Sequence, residues 1–295
     1  MTHVLVGLDV GGTKTAVIVE SLDGERLVET TLSSEGWDAE PLEQGALWIA
    51  SRLAALAGGH EVVGVGIGAQ GLDTPEISQN FAAALAAAGY SAVAVNDAAL
   101  LVPAAGYDAG IGLISGTGAI GVGQDAHGAP LITGGWGWVI GDEAGAAGIV
   151  REATRSALLA HDDGRADDGL LGALLDAFGV QDAERLARAV NDLATMDNWG
   201  PRAPAVFAAA DAGSALAVSV IDAAAEHLAR LVDQLLARGA VGSAVVAAGS
   251  VIVHQPRLLE GVSARIRQRH PDLTVELLTH APVEGAIALA RRAAH

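Results

Sequence analysis

The chain of 295 residues contains no cysteine. It therefore forms no disulfide framework and offers no thiolates for a zinc site or an iron–sulfur cluster. Its nine histidines are scattered and form no H-x-x-x-H pair. This scatter is typical of surface or satisfied polar histidines and does not indicate an imidazole-bound zinc ion.

Positive charge is also scarce, with 17 Lys and Arg against 35 Asp and Glu and a formal net charge of −18. Nucleic acids and anionic membranes are poor partners for such a surface because both require clustered cations. A bound phosphate would have to rely on backbone donors, magnesium and very few side-chain cations.

The chain lacks a basic N-terminal segment followed by a long apolar run. We therefore expect neither export nor a membrane span, and we predict a cytoplasmic protein.

A glycine-rich turn near the start of the chain is the most informative motif. Residues 7–15 read Gly-Leu-Asp-Val-Gly-Gly-Thr-Lys-Thr between two apolar runs. Glycines permit a tight hairpin turn that gathers backbone N–H groups and hydroxyls, and such a set of donors suits an anion. Asp9 cannot favourably contact a phosphate, so it indicates a shared cation, most simply Mg²⁺. A plain hairpin without a ligand is the alternative interpretation.

The same pattern recurs about a hundred residues later, in residues 111–123. Strand, Gly/Thr turn and strand follow one another again, which indicates a duplicated fold. Two such hairpins facing each other across a cleft would make a nucleotide clamp. A P-loop, by contrast, uses one loop and a helix N-terminus, and no G-x-x-x-x-G-K-[ST] run occurs.

The length exceeds that of a typical single core and predicts two domains with a ligand cleft between them. The alternation of strands and helices predicts an α/β layer architecture. Residues 106–110 are rich in Gly and Asp and are the candidate hinge. We predict strands at 4–8, 16–20, 26–32, 62–67, 92–95, 244–247 and 274–277, helices at 41–56, 80–88, 98–105 and 283–294, and a largely helical segment over 144–236.

Asn96 and Asp97 lie between the apolar run 92–95 and a predicted helix. Asp97 would therefore project from the end of a strand, where the clefts of open α/β sheets form. A carboxylate there can orient an acceptor hydroxyl and take its proton late in phosphoryl transfer. A helix cap, which typically contributes about 1 kcal/mol, explains the position equally well.

Residues 134–145 form the densest cluster of unusual residues. Trp136 and Trp138 share this glycine-rich loop with Asp142 and Glu143, and Trp37 occupies another loop, 33–38. An indole beside carboxylates suits a sugar ring, which stacks on the indole and donates its hydroxyl protons to the carboxylates. In the alternative interpretation the indoles pack onto the core and the carboxylates complement a helix N-terminus.

Taken in order, residues 9–13, 96–98, 115–118, 134–143 and 248–251 resemble the N-acetylglucosamine kinase group of the BadF/BadG/BcrA/BcrD-type ATPases, within the superfamily of actin, sugar kinases and heat-shock chaperones. The resemblance spans nearly the whole chain. It implies two ribonuclease-H-like (actin-like ATPase) domains around an interdomain cleft, with ATP and Mg²⁺ bound there and phosphate passed to the 6-hydroxyl of N-acetylglucosamine or glucosamine. The implied domains are 1–107, completed by the C-terminal helix 282–295, and a larger 108–281 with a helical insertion.

The resemblance also implies a role for individual residues. Asp97 would be the catalytic base and Asp9 the magnesium-associated carboxylate. The implied ATP site comprises Gly11, Gly12, Thr13, Lys14, Thr15, Ser115, Gly116, Thr117, Gly118, Gly249 and Ser250. The implied substrate site comprises Glu35, Gly36, Trp37, Gln70, Gly71, Asn96, Asp97, Gly135, Trp136 and Asp142.

Departures from the family pattern bear on the substrate. Relatives that bind N-acetylglucosamine usually carry an asparagine where this chain has residues 34–37, and Glu35 would suit a free ammonium better than an N-acetyl group. Ala144 and Gly145 stand where relatives tend to have Gly-Ser.

Two other families share parts of this pattern. Sugar kinases of the repressor/kinase class usually carry a cysteine cluster, and activators of 2-hydroxyacyl-CoA dehydratases need cysteines for an iron–sulfur cluster. The absence of cysteine therefore argues against both. A nucleotide-driven conformational switch without kinase activity is the remaining alternative. Ala-rich helices in the second domain offer surfaces for a homodimer.

Overall fold

The computed structural model describes residues 2–294 and contains two five-stranded mixed sheets. The first sheet has the order β3-β2-β1-β4-β5 and the second has the order β8-β7-β6-β9-β10. In both, the first two strand pairs are antiparallel and the last two are parallel. The strands are β1 His3–Val10, β2 Lys14–Ser21, β3 Arg26–Ser33, β4 Glu61–Ala69, β5 Ala92–Asn96, β6 Ile111–Ser115, β7 Ala119–Gln124, β8 Pro130–Gly134, β9 Ala244–Ala248 and β10 Thr274–Leu277.

Helices cover these sheets and complete two lobes, which confirms the predicted α/β fold with a duplicated unit. The first lobe contains β1–β5, and the second contains β6–β10. The helices are α1 Leu42–Leu56, α2 Pro75–Ala87, α3 Leu101–Ala104, α4 Ala146–Asp162, α5 Leu170–Phe178, α6 Ala183–Asp192, α7 Met196–Trp199, α8 Ala203–Asp211, α9 Ala215–Ala237, α10 Ser250–His254, α11 Pro256–Arg269 and α12 Val283–Ala293, with 3-10 helices at Asp97–Leu100 and Gly200–Arg202.

The central strands of the first lobe are buried on both faces, as is typical of sheets sandwiched between helices. One face packs with α1 and α2 into a cluster that includes Ile49, Leu53 and Phe81. The other face is covered by the C-terminal helix α12, which contributes Val283 and Ile287. The last helix of the chain thus returns to the first sheet.

Small residues on β4 allow α12 to approach the sheet closely. A Cβ atom on Gly66 would lie 1.9 Å from the carbonyl oxygen of Ala286, and one on Gly64 would lie 2.2 Å from that of Ala290. Backbone atoms of a packed helix cannot move aside as a flexible side chain can. These two positions therefore require glycine.

We expect Gly66→Ala to destabilise the first lobe by about 3 kcal/mol, because overpacking against a backbone forces the helix away from the sheet. Gly123→Ala on β7 is the matched control, since its Cβ would meet its nearest neighbour at an ordinary 3.4 Å. Urea unfolding followed through the half-buried indoles of Trp37 and Trp48 reports on this lobe. Equal stability of the two variants would contradict the close packing of α12.

Between β8 and β9 the second lobe carries the helices α4–α9, which match the helical segment predicted over 144–236. The long helix α9 supplies the centre of the core, with Leu228, Val232 and Leu235 fully buried. Its buried positions recur every three to four residues, the spacing of one helix face.

The two lobes meet through the segment that follows β5. The 3-10 helix Asp97–Leu100 packs against β6 and β7, and α3 packs against β9, with Leu101 and Val102 clustered against Val246. A Cβ on Gly112 would lie 2.9 Å from the carbonyl oxygen of Ala98, so strand and helix approach closely here too. The candidate hinge 106–110 connects α3 to β6, and we propose the domain division 1–107 plus the C-terminal helix, and 108–281.

Three elements differ from the sequence-based expectations. Helix α2 begins at Pro75, five residues before the predicted start, because the Thr74 side chain accepts a hydrogen bond from the Ile77 N–H and proline occupies the first turn. Strand β8 was not predicted. The predicted helix 98–105 is a 3-10 turn followed by the short α3.

Within residues 2–294, no single helix has both the length and the apolar composition needed to cross a membrane. The segments Met196–Asp211 and Ala215–Ala237 have the required length and composition only when they are taken together, and they are bent by 119° relative to each other.

Candidate active site

Two aspartates predicted to act in catalysis lie at the carboxyl ends of the parallel strands in the first sheet. Strands β1, β4 and β5 run parallel, with Asp9 beside Gly68 and Ala69 beside Asn96. The carboxyl ends of these strands therefore carry Asp9, Gln70 and Asp97 in a row. With neighbouring strands about 4.8 Å apart, the backbones at Asp9 and Asp97 are separated by about 10 Å.

Both carboxyl groups are electrostatically perturbed. Burial, together with the charge of the nearby Asp97, raises the pKa of Asp9 to about 6. Burial also raises the pKa of Asp97, and the charge of Asp73 acts in the same direction. Among residues 2–294, no Lys or Arg forms an ion pair with either carboxylate. These strand ends thus carry two largely buried carboxyl groups that pair with no Lys or Arg within the described residues.

Such a donor set fits Mg²⁺ bound jointly with a nucleotide. Magnesium usually takes one or two carboxylates and completes its shell with water and substrate phosphates. The part of the chain that the structure describes contains no group of three or more His, Asp or Glu arranged to hold a metal by itself. Asp9, with no protein cation beside it, is the residue placed to contribute a ligand.

The first glycine-rich turn connects β1 to β2 beside Asp9. The Gly11 N–H donates to the Lys14 carbonyl at 3.0 Å and closes the turn. Gly12 lies under the Gln70 side chain, because a Cβ there would be 3.0 Å from Gln70 Oε1. Lys14 is exposed, whereas Thr15 is fully buried and its hydroxyl pairs with Ser34 Oγ at 2.8 Å. The Thr15 side chain therefore supports the turn from inside the lobe.

The second glycine-rich turn and the segment at 249–250 form one site in the second lobe. Strands β6 and β9 run parallel, so their ends bring residues 115–118 beside Gly249 and Ser250. A Cβ on Gly116 would lie 3.5 Å from both the Gly249 Cα and the Ser250 nitrogen. Gly249 has a φ of +103°, and a Cβ there would meet the Ser115 carbonyl oxygen at 2.4 Å, so this contact requires glycine. Ser115 is fully buried, and its hydroxyl donates to the Ala144 carbonyl at 2.7 Å.

Residues around Asp97 are held by a short hydrogen-bond chain. The Asn96 Nδ2 group donates to Asp73 Oδ1 at 2.7 Å, and Asn96 Oδ1 accepts from the Ala98 N–H at 3.0 Å. Asn96 is thus the cap of the 3-10 helix Asp97–Leu100, and the catalytic role of Asp97 stays a prediction. Asp97 Oδ1 accepts from the same N–H at 2.9 Å, so its orientation is also fixed.

The loop at 34–37 docks against the segment that follows β4. The Trp37 Nε1 group donates to the Gln70 carbonyl at 3.3 Å, which joins two predicted substrate segments. The Trp37 ring itself packs edge-on against Trp48 and Phe81 at centroid distances of 5.4 and 5.8 Å. Glu35 is exposed and its carbonyl accepts from Trp48 Nε1 at 3.1 Å. The Trp37 ring therefore lies half-buried against the core of the first lobe, and its contact with a sugar stays a prediction.

The loop before α4 presents its two tryptophans differently. Trp136 is 75% exposed, whereas Trp138 packs against Trp199 with ring centroids 4.8 Å apart. The Arg151 guanidinium donates to the carbonyls of Trp138 and Gly141 and fixes the loop. Gly135, next to Trp136, lies over Ile120 of β7.

Asp142 is in contact with the second glycine-rich turn. It is 7% exposed, burial raises its pKa, and a Cβ on Gly118 would lie 2.7 Å from its Oδ2. The predicted sugar ligand is thus packed against the predicted phosphate turn, without space for a side chain between them.

Sequence reasoning missed Asp73, Arg151 and His227 as parts of this region. Asp73 orients Asn96, Arg151 fixes the loop at 138–141, and His227 reaches the same loop from α9. None of them belongs to a recognisable motif, since only the tertiary fold brings them together.

Comparison with known proteins places this geometry in a family. Residues 6–290 match the model of the BadF/BadG/BcrA/BcrD ATPase family. The chain belongs to this family. The predicted family relationship is thereby confirmed, and the duplicated ATPase-type fold with its two glycine turns is consistent with it.

Individual relatives point the same way. An N-acetylmuramic acid/N-acetylglucosamine kinase from Clostridium acetobutylicum is 29% identical over 191 residues, which are 62% of this chain and 62% of that protein. The match thus covers less than two thirds of that curated relative.

Solved structures show the same fold. One from Chromobacterium violaceum, described as a candidate N-acetylglucosamine kinase, has a TM-score of 0.70 at 24% identity and covers 97% of this chain and 98% of that one. A ROK family glucokinase from Streptomyces griseus, solved with glucose and AMPPNP, has a TM-score of 0.55 at 18% identity, with 98% of each chain covered.

Proposed function

We propose that the protein is an ATP- and Mg²⁺-dependent kinase that transfers the γ-phosphoryl group to the 6-hydroxyl of an amino sugar, N-acetylglucosamine or glucosamine. The observation that carries this proposal is the acidic edge with Asp9 and Asp97, next to a glycine-rich turn and connected directly to the second lobe. Membership of an ATPase family and similarity to a sugar kinase support it.

Asp97 is the proposed catalytic base. Its Oδ1 is held by the Ala98 N–H, which leaves Oδ2 to accept a hydrogen bond from the sugar hydroxyl. A raised pKa favours proton acceptance as the phosphoryl group transfers, and orienting the hydroxyl matters more than early deprotonation in a loose transition state.

The two glycine-rich turns are the proposed nucleotide clamp. Backbone N–H groups at Gly11, Gly12 and Thr13 would face the phosphates from the first lobe, with Lys14 as an exposed cation at the same turn. Thr117 and Gly118 would do so from the second lobe, and Gly249 with Ser250 would approach the nucleoside. Bound Mg²⁺ would neutralise charge on the phosphate oxygens, and Asp9 would hold it.

The proposed sugar site lies between the lobes, at Glu35, Gln70, Gly71, Asn96, Gly135 and Asp142. Trp136 supplies an exposed indole for the ring. Closure of the lobes would exclude water and so protect ATP from hydrolysis.

The test is ADP release with and without N-acetylglucosamine, glucosamine, N-acetylmannosamine, N-acetylmuramic acid and glucose, at saturating ATP and Mg²⁺. We expect one of the amino sugars to stimulate turnover by at least about 100-fold, because productive closure requires the sugar. ATP binding without stimulation by any sugar would contradict the kinase and favour a nucleotide-driven switch.

We expect Glu35→Gln to shift the ratio of kcat/KM values from glucosamine toward N-acetylglucosamine by about tenfold, the effect of losing one hydrogen bond to a charged group. Glu43→Gln in the first turn of α1 is the control, since it changes the same charge at a neighbouring exposed site. An unchanged ratio would remove Glu35 from the proposed sugar site.

A further inference from the structure

A small cavity of about 180 Å³ opens beside the loop that precedes α4. Its walls include Trp136, Asp142 and Glu143 from this loop, and His227 and Arg230 from α9. It therefore adjoins Asp142, the proposed sugar ligand, but reaches a helix that none of the recognised motifs includes.

The cavity gathers buried polar atoms that lack partners. Asp142 Oδ1 and His227 Nε2 are buried and have no hydrogen-bond partner within residues 2–294. Asp142 as a whole is 7% exposed. Buried polar groups are nearly always paired, so two unpaired atoms around one cavity indicate a ligand that supplies the missing bonds.

Asp142 is held rigidly in this position. Its φ is +52°, a left-handed conformation that aspartate tolerates better than most residues. Gly118 packs against its carboxylate, and Gly148 packs against its backbone, where a Cβ would lie 2.0 Å from the Asp142 carbonyl oxygen. The unpaired Oδ1 therefore cannot simply rotate away to solvent.

The chemistry of His227 follows from its neighbours. Burial lowers its pKa, Arg230 and Arg151 act in the same direction, and Glu143 and Asp142 oppose them. The imidazole therefore favours its neutral form more than an exposed histidine does. Its Nδ1 lies 3.3 Å from Glu143 Oε2, which favours the tautomer with the proton on Nδ1 and leaves Nε2 as an acceptor.

We infer that this cavity binds two neighbouring hydroxyl groups of the sugar, one donating to Asp142 Oδ1 and the other to His227 Nε2. His227 is then a specificity-determining residue that selects a vicinal diol. This inference rests on the proposed function, because it assumes that the sugar reaches Asp142. Arg230 at the cavity disfavours an ammonium as the donor group.

The test is calorimetric titration of the full chain with N-acetylglucosamine and its 3-deoxy and 4-deoxy analogues, without nucleotide. We expect His227→Leu to weaken N-acetylglucosamine binding by about tenfold or more, and His227→Gln, whose amide oxygen can replace Nε2, to recover most of the loss. For the analogue that lacks the hydroxyl bound by His227, wild type and His227→Leu should bind equally. In turnover, KM should rise in His227→Leu while kcat changes little.

His161→Gln is the control, because His161 is exposed at the end of α4, and thermal unfolding verifies that each variant folds. The inference is overturned if His227→Leu binds N-acetylglucosamine as tightly as wild type does, or if this substitution weakens the binding of both deoxy analogues equally. It is also overturned if wild type binds no sugar. Sugar binding with the expected pattern but without phosphorylation would overturn the proposed function alone.

Discussion

Asp97→Asn is expected to lower kcat for sugar phosphorylation by about 10³-fold, within the range measured for removal of a positioned acid or base. Asparagine preserves the shape of the side chain and can still accept the Ala98 N–H, so the fold should be unchanged. What it loses is the ability to take the proton from the acceptor hydroxyl. The measurement is sugar-dependent ADP release at saturating ATP and sugar.

Asp162→Asn is the matched control, since Asp162 is exposed in the last turn of α4 and its removal changes the net charge equally. The Kd for ATP should be unaffected in both variants. Near wild-type phosphorylation by Asp97→Asn would contradict the assignment of Asp97 as the catalytic base. Residual ATP hydrolysis in that variant would not restore this assignment.

Asp9→Asn is expected to reduce kcat by about 10²-fold or more and to raise the Mg²⁺ concentration needed for half-maximal activity, because the amide is a weaker magnesium ligand.

The free energy of unfolding of Asp9→Asn, by contrast, should be higher than that of wild type at neutral pH. The Asp9 pKa of about 6 lies above its ordinary value of 3.8, so ionisation of Asp9 opposes folding by about 3 kcal/mol at most.

That penalty is absent well below pH 3.8, where the carboxyl is protonated in both states, grows between pH 3.8 and about 6, and is complete well above pH 6. Without Mg²⁺ and ATP, Asp9→Asn should therefore unfold at a higher temperature than wild type at pH 8, and the difference should be much smaller at pH 4. Addition of Mg²⁺ and ATP should stabilise wild type more than the variant. A variant less stable at pH 8 would show that Asp9 is not an uncompensated buried charge.

Much of the first lobe could be predicted from the sequence because its signals are local. The glycine turn, the apolar strands and the residues after β5 each mark their own position, and the parallel order then places Asp9 and Asp97 at one edge. The recurrence of the turn in residues 111–123 likewise predicted the second sheet, whose order repeats that of the first.

The rest depends on contacts that no local pattern contains. Trp37, Trp136 and Trp138 all lie in loops that contain glycine, so the sequence does not distinguish them. Yet Trp37 packs against Phe81 and Trp138 against Trp199, whereas Trp136 is exposed. His227 is one of two histidines in the helical segment over 144–236, and only the packing of α9 beside the loop at 134–143 reveals its position.

The most direct test of the kinase is the identity of the product. The protein is incubated with ATP, Mg²⁺ and the amino sugar that stimulates turnover, and ³¹P NMR with mass spectrometry identifies where the γ-phosphoryl group has gone. We predict sugar 6-phosphate and ADP in equal amounts, and no phosphorylation of the 6-deoxy sugar. Release of inorganic phosphate with the sugar unmodified would contradict phosphoryl transfer between these lobes.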